Sequence, residues 1–451
     1  MSDFDSVVSR VAERVTPDAE ERERLQAAVD ALTDRVRDAV ADLPVDARIV
    51  QVGSTARGTW LADDRDIDLF VCFPPDLDRA ELERYGLDVG RAVLPEGHEE
   101  YAEHPYVTGE IRSFDVDLVP CYDVADATEI QSAVDRTPFH DAYLQAHLDE
   151  SLTRDVRLFK AFLSGIGAYG SDLRTRGFSG YLSELLVLEY GGFEALLRAA
   201  ADWRPPVRLD PEDHGTTSFD DPLVVIDPTD PERNVAAVCS AENVARLQHY
   251  ARELLDDPRE SLFVADDPDP IDAEAVRAHL DRRGTTPVAV VFETPDLVPD
   301  QLYPQLRKSL DGVASELDRR GFAPLRTATF ADDRAVLLIE LAVAELPAIR
   351  RHRGPPVHVR EHATGFYEAY ADADADLYGP FLDGDRYIVE REREFTTPRD
   401  LLAGDAVFDV ALGANVETAM RNDYDVLVGD DVASLADDFG VALARYFDPR
   451  P

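Results

Sequence analysis

Apolar residues Leu25, Val29, Leu32, Val36 and Val40 recur at three- and four-residue intervals, the spacing that places them on one stripe of a helix. Thr16-Pro17-Asp18 stands in front of that run and predicts a helix start, with Thr16 as N-cap and Pro17 in the first turn. The helix should end near Leu43-Pro44. Then the pattern changes. Arg48 to Val52 is short and β-branched and stops at Gly53-Ser54, which reads as a strand delivering the chain into a tight turn. Residues 67–73 (IDLFVCF) and 114–119 (FDVDLV) predict two more strands, the second with apolar and acidic positions in strict alternation. Residues 78–93 between them have helical spacing, so the first part of the chain is an α/β unit.

From Thr153 to about Leu255 the periodicity is helical: Val156, Phe159, Phe162 and Leu163 on one helix, Tyr181, Leu185 and Leu188 on another, Val244, Leu247 and Tyr250 on a third. A stretch rich in Pro and Asp, residues 205–231, interrupts it. Residues 256–272 hold seven acids and three prolines, a linker composition. Beyond them strands at 288–292, 325–331, 335–343 and 387–391 alternate with a helix at 301–317 and a short one around Phe366, an α+β arrangement. The expected organisation is therefore a head over residues 1–145, a helical central domain over 146–258 and an α+β domain over 273–451. No internal repeat is present, and the one low-complexity piece, residues 371–376, reads as a surface loop.

Composition narrows the class. The chain has 451 residues, 91 acidic against 46 basic side chains, and a formal charge of −45. Its hydrophobic content of 45% excludes disorder. All the basic residues but Lys160 and Lys308 are arginines. A chain so acidic and so poor in lysine looks like a cytoplasmic protein adapted to molar salt, where surface carboxylates hold hydrated cations. No apolar run reaches the roughly 20 residues of a membrane span, and the acidic start MSDFDSVVSR is not a signal peptide. Cys72, Cys121 and Cys239 are too few and too widely spaced for a disulfide framework or a zinc site. Cys72 and Cys121 follow apolar strand-like runs and read as small buried hydrophobes. Any metal should be bound by oxygen. Taken alone, the charge also argues against a nucleic-acid binder.

Among so many acids, position discriminates. Asp66 and Asp68 sit two apart where a strand begins, and Asp115 and Asp117 repeat that spacing on another strand, so each pair projects from one sheet face. Burying carboxylates is costly unless a cation compensates, and an open oxygen ligand set suits Mg²⁺. Strand ends open to solvent are the alternative. Upstream, Gly53-Ser54 at the start of the predicted helix STARGTWL offers backbone N–H groups and a hydroxyl to an anion, and Arg57 adds a planar cation one turn on. Glycine lets a phosphate approach the backbone closely. The acid pair follows Gly53 by 13 and 15 residues, with a further strand acid about 50 residues later.

This arrangement resembles the nucleotidyltransferase superfamily of DNA polymerase β and the poly(A) polymerases. More closely, the chain resembles the archaeal CCA-adding family of tRNA nucleotidyltransferases. The resemblance is carried in order by Gly53–Pro74 (GSTARGTWLADDRDIDLFVCFP), Tyr101–Tyr122, Ser132–His140 (SAVDRTPFH), Arg176–Leu186 (RGFSGYLSELL), Asp227–Ala237 (DPTDPERNVAA), Leu302–Leu306 and Glu394–Asp400. One departure is Asp66, where family members often have glutamate. The resemblance implies a multidomain α+β fold: a polymerase β-like nucleotidyltransferase head, a helical central domain as in poly(A) polymerases, and a C-terminal α+β domain that binds RNA.

It further implies template-independent CCA addition to the tRNA acceptor end from CTP and ATP. Asp66, Asp68 and Asp117 would be the catalytic, Mg²⁺-holding carboxylates, with Asp115 the rival of Asp117. Gly53, Ser54, Arg57, His140, Lys160, Tyr169 and Arg233 would bind the nucleotide, Arg233 at the base edge, and a homodimer is implied as well. From sequence alone His140 reads as a packed or capping histidine. Lys160 stands out independently, because this composition replaces lysine almost everywhere and a compact ammonium suits a phosphate. The densest basic run, Arg350, Arg351 and Arg353, is the candidate RNA contact; the alternative is that these arginines pair with nearby acids. The remaining alternatives are a poly(A) polymerase-like or small-molecule nucleotidyltransferase, and a non-catalytic RNA-binding relative. In molar salt the Debye length is about 3 Å, so the charge describes the solvent and no longer argues against RNA.

Overall fold

A computed structural model of the chain describes residues 3–101, 103–371 and 377–451, which form two compact units, one ending at Asp266 and one running from Asp267 to Arg450. Residues 372–376 of the alternating Ala-Asp run lie outside the described residues.

The first unit opens with a helix outside the expected set of elements, α1 (Asp3–Val15), which buries Val7, Val11 and Ala12. The next helix, α2, spans Ala19–Ala41, and its N-cap is Asp18 rather than Thr16. Asp18 accepts from the Glu21 amide and Glu21 accepts from the Asp18 amide, both at 2.8 Å, a reciprocal capping box. The Thr16 hydroxyl is used instead to close α1, donating to the Ala12 carbonyl.

A five-stranded sheet follows, built from β1 (Arg48–Val52), β2 (Asp66–Phe73), β3 (His98–Tyr101), β4 (Pro105–Ile111) and β5 (Phe114–Tyr122) in the order β1-β2-β5-β4-β3. Only the central pair, β2 and β5, is parallel. The short helix α3 (Gly53–Arg57) joins β1 toward β2, and α4 (Arg79–Val93) follows β2. Strand alternation sorts the two faces. Ile67, Leu69, Val71 and Phe73 of β2, with Val116 and Leu118 of β5, pack against α2 and α4 in one core. The opposite face carries Phe70, Cys72, Val119 and Cys121 at its far end, and the acids at its near end. The cysteines are buried and unbonded, as small hydrophobes.

The rest of this unit is a helical core of α5 (Thr137–His147), α6 (Glu150–Gly165), α7 (Gly180–Tyr190), α8 (Phe193–Ala201) and α9 (Ala241–Asp256), onto which α1 also packs. The Pro- and Asp-rich stretch inside it is not irregular. It forms a small sheet of β6 (Val207–Leu209), β7 (Leu223–Asp227) and β8 (Asp230–Asn234), because every residue of β7 is buried. The expected linker is also partly structured: Leu262 and Phe263 join the helical core, and Glu260 pairs with Arg10 and Arg14 of α1.

In the second unit, α10 (Ala273–Arg283) precedes β9 (Thr286–Glu293), α11 (Pro299–Arg320), β10 (Pro324–Ala331) and β11 (Arg334–Leu341). Later come β12 (Ile349–Pro356), α12 (Arg360–Ala371), β13 (Leu377–Asp383), β14 (Arg386–Glu392), α13 (Pro398–Leu402), α14 (Ala414–Asn422), β15 (Asp425–Val428) and α15 (Ala436–Phe447). An antiparallel sheet ordered β10-β11-β9-β15 is covered on both faces: α11, α13 and α14 lie on Val288, Val290 and Phe292 of β9, α10 and α15 on Ala289 and Val291. A separate three-stranded sheet, β12-β14-β13, carries the basic run, which the sequence did not identify as a strand.

Candidate active site

Parallel pairing of β2 and β5 sets Asp66 opposite Asp115 and Asp68 opposite Asp117. All four project from the face not covered by α2 and α4. Thr108 of β4 lies opposite Asp117 and hydrogen-bonds to it. Asp115 is exposed, whereas Asp68 and Asp117 are half-buried. Burial, then repulsion from Asp117 and Asp66, pushes the Asp68 carboxyl up to about 7 against the pull of Arg57. Asp66 keeps an exposed side chain, yet the desolvation it meets beside the sheet and the charges of Asp64, Asp115 and Asp117 push it up to about 6. Asp117 is also raised, chiefly by burial, with Thr108 opposing. Carboxylates held this way lack positive charge. Among the described residues no three His, Cys, Asp or Glu side chains are gathered closely enough to hold a metal ion by themselves. Asp66, Asp68 and Asp117 line one sheet edge with oxygen donors only, a donor set whose chemistry suits a hard divalent cation that takes the rest of its shell from substrate and water.

Gly53 belongs to this site for a reason the sequence does not reveal. Its φ is +82°, and a Cβ there would stand 2.1 Å from Asp68 Oδ2. Glycine is needed to admit the Asp68 carboxylate, and the Gly53 amide is taken by Asp141. The helix behind it, α3, is only five residues long and ends at Gly58 in the left-handed conformation, so it does not continue through STARGTWL. Ser54 is half-buried in its first turn.

Arg57 and Lys160 converge on a carboxylate absent from the expected set, Glu184 of α7, which is fully buried. Arg57 donates to Glu184 Oε2 from Nε at 3.0 Å and from Nη2 at 2.8 Å, and its Nη1 reaches Asp141. Lys160 Nζ donates to Glu184 Oε1 at 2.9 Å, and the Thr59 hydroxyl donates to the same oxygen. Burial opposes ionisation of Glu184, but Lys160 and Arg57 outweigh it and hold the carboxyl below its ordinary range. The network ties α3 of the head to α5, α6 and α7. Tyr169 stands beside it: an added Cβ on Gly180 would lie 3.3 Å from Tyr169 Oη and 3.8 Å from Lys160 Nζ, so Gly180 leaves room for both groups.

A third cluster forms around Asp227, the buried last residue of β7. Its carboxylate faces His140 Nε2 at 2.8 Å and accepts from Arg233 Nη1 at 2.7 Å, the Thr229 amide at 2.9 Å and the Tyr181 hydroxyl at 3.3 Å. The His140 ring stacks on Tyr181 with centroids 4.0 Å apart. Burial lowers the His140 pKa despite Asp227. Burial works against Asp227 ionising, yet His140, Thr229 and Arg233 together hold it well below the usual carboxylate range. Arg233 keeps about a third of its side chain exposed (35%), leaving guanidinium N–H groups for a ligand.

Glu184, Asp141, Asp227 and Tyr181 are site residues that the sequence did not reveal. A signal existed for Glu184: it is an acid set among Leu182, Leu185, Leu186 and Val187, all buried, in a helix whose other acid, Glu189, lies toward its end. The basic run divides differently from the sequence expectation. Along β12 the side chains alternate, so Arg350 and His352 share one face while Arg351 and Arg353 share the other. Arg351 pairs with Asp383 at 2.5 Å.

Three family models match the chain in order: a nucleotidyltransferase domain over residues 33–140, the second domain of tRNA nucleotidyltransferases over 154–264, and the C-terminal domain of CCA-adding enzymes over 283–429. The chain is 63% identical, over the full length of both, to the CCA-adding enzymes of Haloarcula marismortui and Halorubrum lacusprofundi. It is 44% identical to that of Methanoregula boonei, over 97% of this chain and 94% of the other. Among solved structures a poly(U) polymerase aligns with a TM-score of 0.45 and 18% identity, over 58% of this chain and 99% of its own.

The geometry yields three expected outcomes. Asp68 has a folded pKa above the unfolded 3.8, so the metal-free protein loses stability as pH rises from about 4 through 7. Asp68→Asn should therefore raise the midpoint of thermal unfolding at pH 8, by about 1 kcal/mol in stability, and give no gain at pH 4; melting curves at both pH values check this. Glu184→Gln leaves Lys160 and Arg57 buried without their shared counter-charge and should destabilise the protein by about 3 kcal/mol in denaturant titrations. Gly53→Ala forces a strained φ and displaces Asp68; nucleotide incorporation should fall about 100-fold with thermal stability changed far less.

Proposed function

The chain belongs to the CCA-adding enzymes, and we propose that it extends the 3′ end of tRNA by C, C and A from CTP and ATP, without a nucleic-acid template. The observation that carries the reading is the register of Asp68 against Asp117, with Gly53 fitted to Asp68 and two buried cations beside them.

In the reaction the RNA 3′-oxygen attacks the α-phosphorus of the nucleotide, and pyrophosphate leaves as the P–O bond to it breaks. Asp66, Asp68 and Asp117 would hold Mg²⁺, which when bound neutralises triphosphate charge and acidifies the 3′-hydroxyl. Asp117, oriented by Thr108, would accept the hydroxyl proton. Ser54 and Tyr169 would face the triphosphate and sugar, while Arg57 and Lys160, whose N–H groups are engaged by Glu184, Asp141 and Thr59, add positive charge from behind. Glu184 fixes both cations, so no side-chain reorganisation is required when the anion arrives. At the other end Arg233, steered by Asp227, donates to the base edge, with His140 and Tyr181 as the adjoining stack. A donor fixed by a buried carboxylate discriminates among bases because a mismatched edge leaves it unpaired.

Arg350 and Arg353 are offered to the RNA. No helix among the described residues is long and apolar enough to cross a membrane, and we place the enzyme in the cytoplasm, where tRNA ends are processed. The homodimer expected from the resemblance is checked by light scattering at molar salt, where a monomer mass would overturn it.

A tRNA transcript ending at the discriminator base, incubated with the enzyme, Mg²⁺, CTP and ATP in molar KCl, should gain three nucleotides and no more. A long homopolymer tail, or none, would reject the assignment. Asp117→Asn should lower incorporation by at least about 100-fold while tRNA affinity stays within about twofold, read by gel extension and by fluorescence anisotropy.

A further inference from the structure

Helix α3 is five residues long, far below the length at which a helix holds itself together in water, and one carboxylate closes on both of its ends. Asp141 of α5 takes the amide of Gly53, the first residue, and the guanidinium of Arg57, the last, whose Nη1 lies 2.5 Å from Asp141 Oδ1. Gln145, one turn further along α5, donates to Asp141 Oδ2 at 2.6 Å. Asp141 is itself only 3% exposed, so it stands behind α3 and not in the open site. What it holds is the wall of the catalytic centre. Gly53 leaves no room even for a Cβ beside Asp68 Oδ2, and Ser54 follows it directly. A displacement of α3 therefore pushes on Asp68 or opens a gap beside it.

The residue before Asp141 in the chain belongs to the other end of the nucleotide site. His140 lies 2.8 Å from Asp227 and stacks on Tyr181 with centroids 4.0 Å apart. Asp227 also holds Arg233, the donor assigned to the base edge. Consecutive residues of a helix point about 100° apart, so α5 turns His140 toward β7 and α7 and Asp141 toward α3. Both contacts ride on one hydrogen-bonded backbone, seated by the buried Leu144, and a helix held in this way carries a shift at one side chain to the next.

We propose that Asp141 is a positioning residue that links base selection to catalysis: a base seated against Arg233, His140 and Tyr181 fixes α5, and Asp141 then holds Gly53–Arg57, and with it Asp68, in the reactive arrangement. A base that seats badly leaves α5 less firmly held, and α3 with it. A wrong nucleotide is then rejected in the rate of transfer more than in binding. The base end and the reaction rest on the function proposed above; the contacts of Asp141 rest on their own geometry.

Two measurements on the full-length protein in molar KCl test this. In the first, hydrogen exchange of the peptide containing Gly53–Arg57 is followed by mass spectrometry without metal, in the presence of cytidine or uridine, which carry no phosphate for Ser54. Cytidine should slow exchange there and uridine should not, and Asp141→Asn should abolish the protection. In the second, incorporation into a tRNA transcript ending at the discriminator base is compared for CTP and UTP. Asp141→Asn should lower the maximal rate with CTP about 10- to 100-fold, lower that with UTP much less, and leave the half-saturating nucleotide concentration within about threefold. Losing the buried carboxylate also weakens the fold, so the exposed Gln145 supplies a second variant. Gln145→Met should narrow the preference for CTP in the same direction, by about threefold, at an unchanged thermal midpoint. Equal losses with CTP and UTP, a raised half-saturation at unchanged rate, or exchange of α3 indifferent to cytidine would each overturn the link. A parent without preference for CTP would overturn the assigned reaction, and this inference with it; a parent that prefers CTP, with variants that keep the preference, overturns the link alone.

Discussion

Parallel pairing of β2 with β5 brings carboxylates into register that repel one another, and the rest of the head is arranged to keep them there. Neither strand can slip by one residue, because Ile67, Leu69, Val116 and Leu118 would leave the core beneath α2 and α4. The hydrophobic core therefore fixes where the acids stand, and burial with their mutual charge raises the pKa values of Asp66, Asp68 and Asp117 together. A site under this electrostatic load is prepared for a cation. Gly53 shows how closely the surroundings are fitted, since even one carbon there would occupy the space of the Asp68 carboxylate.

The same economy of charge governs the adjoining clusters. Arg57 and Lys160 are not free cations awaiting phosphate. Each is already held by Glu184, and Arg57 also by Asp141. Buried pairs of this kind add little net stability but define geometry, because removing one partner leaves the other charged and desolvated. Asp227 does the same for His140 and Arg233. Each cationic or aromatic group with a nucleotide-binding assignment in these two clusters thus has a buried acid behind it, so the pocket's shape exists before a ligand arrives.

Across the molecule, carboxylates are abundant enough that paired arginines are the rule and unpaired ones stand out. Surface pairs such as Arg351 with Asp383 contribute little energy, and molar salt screens them further. Short-range, buried contacts survive that screening. A net charge of −45 therefore does not by itself exclude a polyanionic substrate in molar salt.

The sequence by itself determined the features that depend on local spacing. Strand alternation placed Asp66, Asp68 and Asp117; helical periodicity found the central helices and the long C-terminal helix; the scarcity of lysine singled out Lys160; and the motifs named the family. It did not determine which groups meet across long separations. Thr16 and Asp18 are both cap residue types; Glu21 three residues after Asp18 favours Asp18 locally, and the folded chain uses the Thr16 hydroxyl to close α1. Helix α1 does carry a helical stripe, Phe4, Val7, Val8, Val11 and Val15, but the surface that stripe buries against, the helical core, is set by tertiary packing. The residues 127 positions apart that form the Arg57–Glu184 contact, and the cross-strand partners Arg350 and Arg391, have no shared local signature. Their pairing is set by packing and strand register, and the desolvation that gives those charges their effect exists only once the chain has folded.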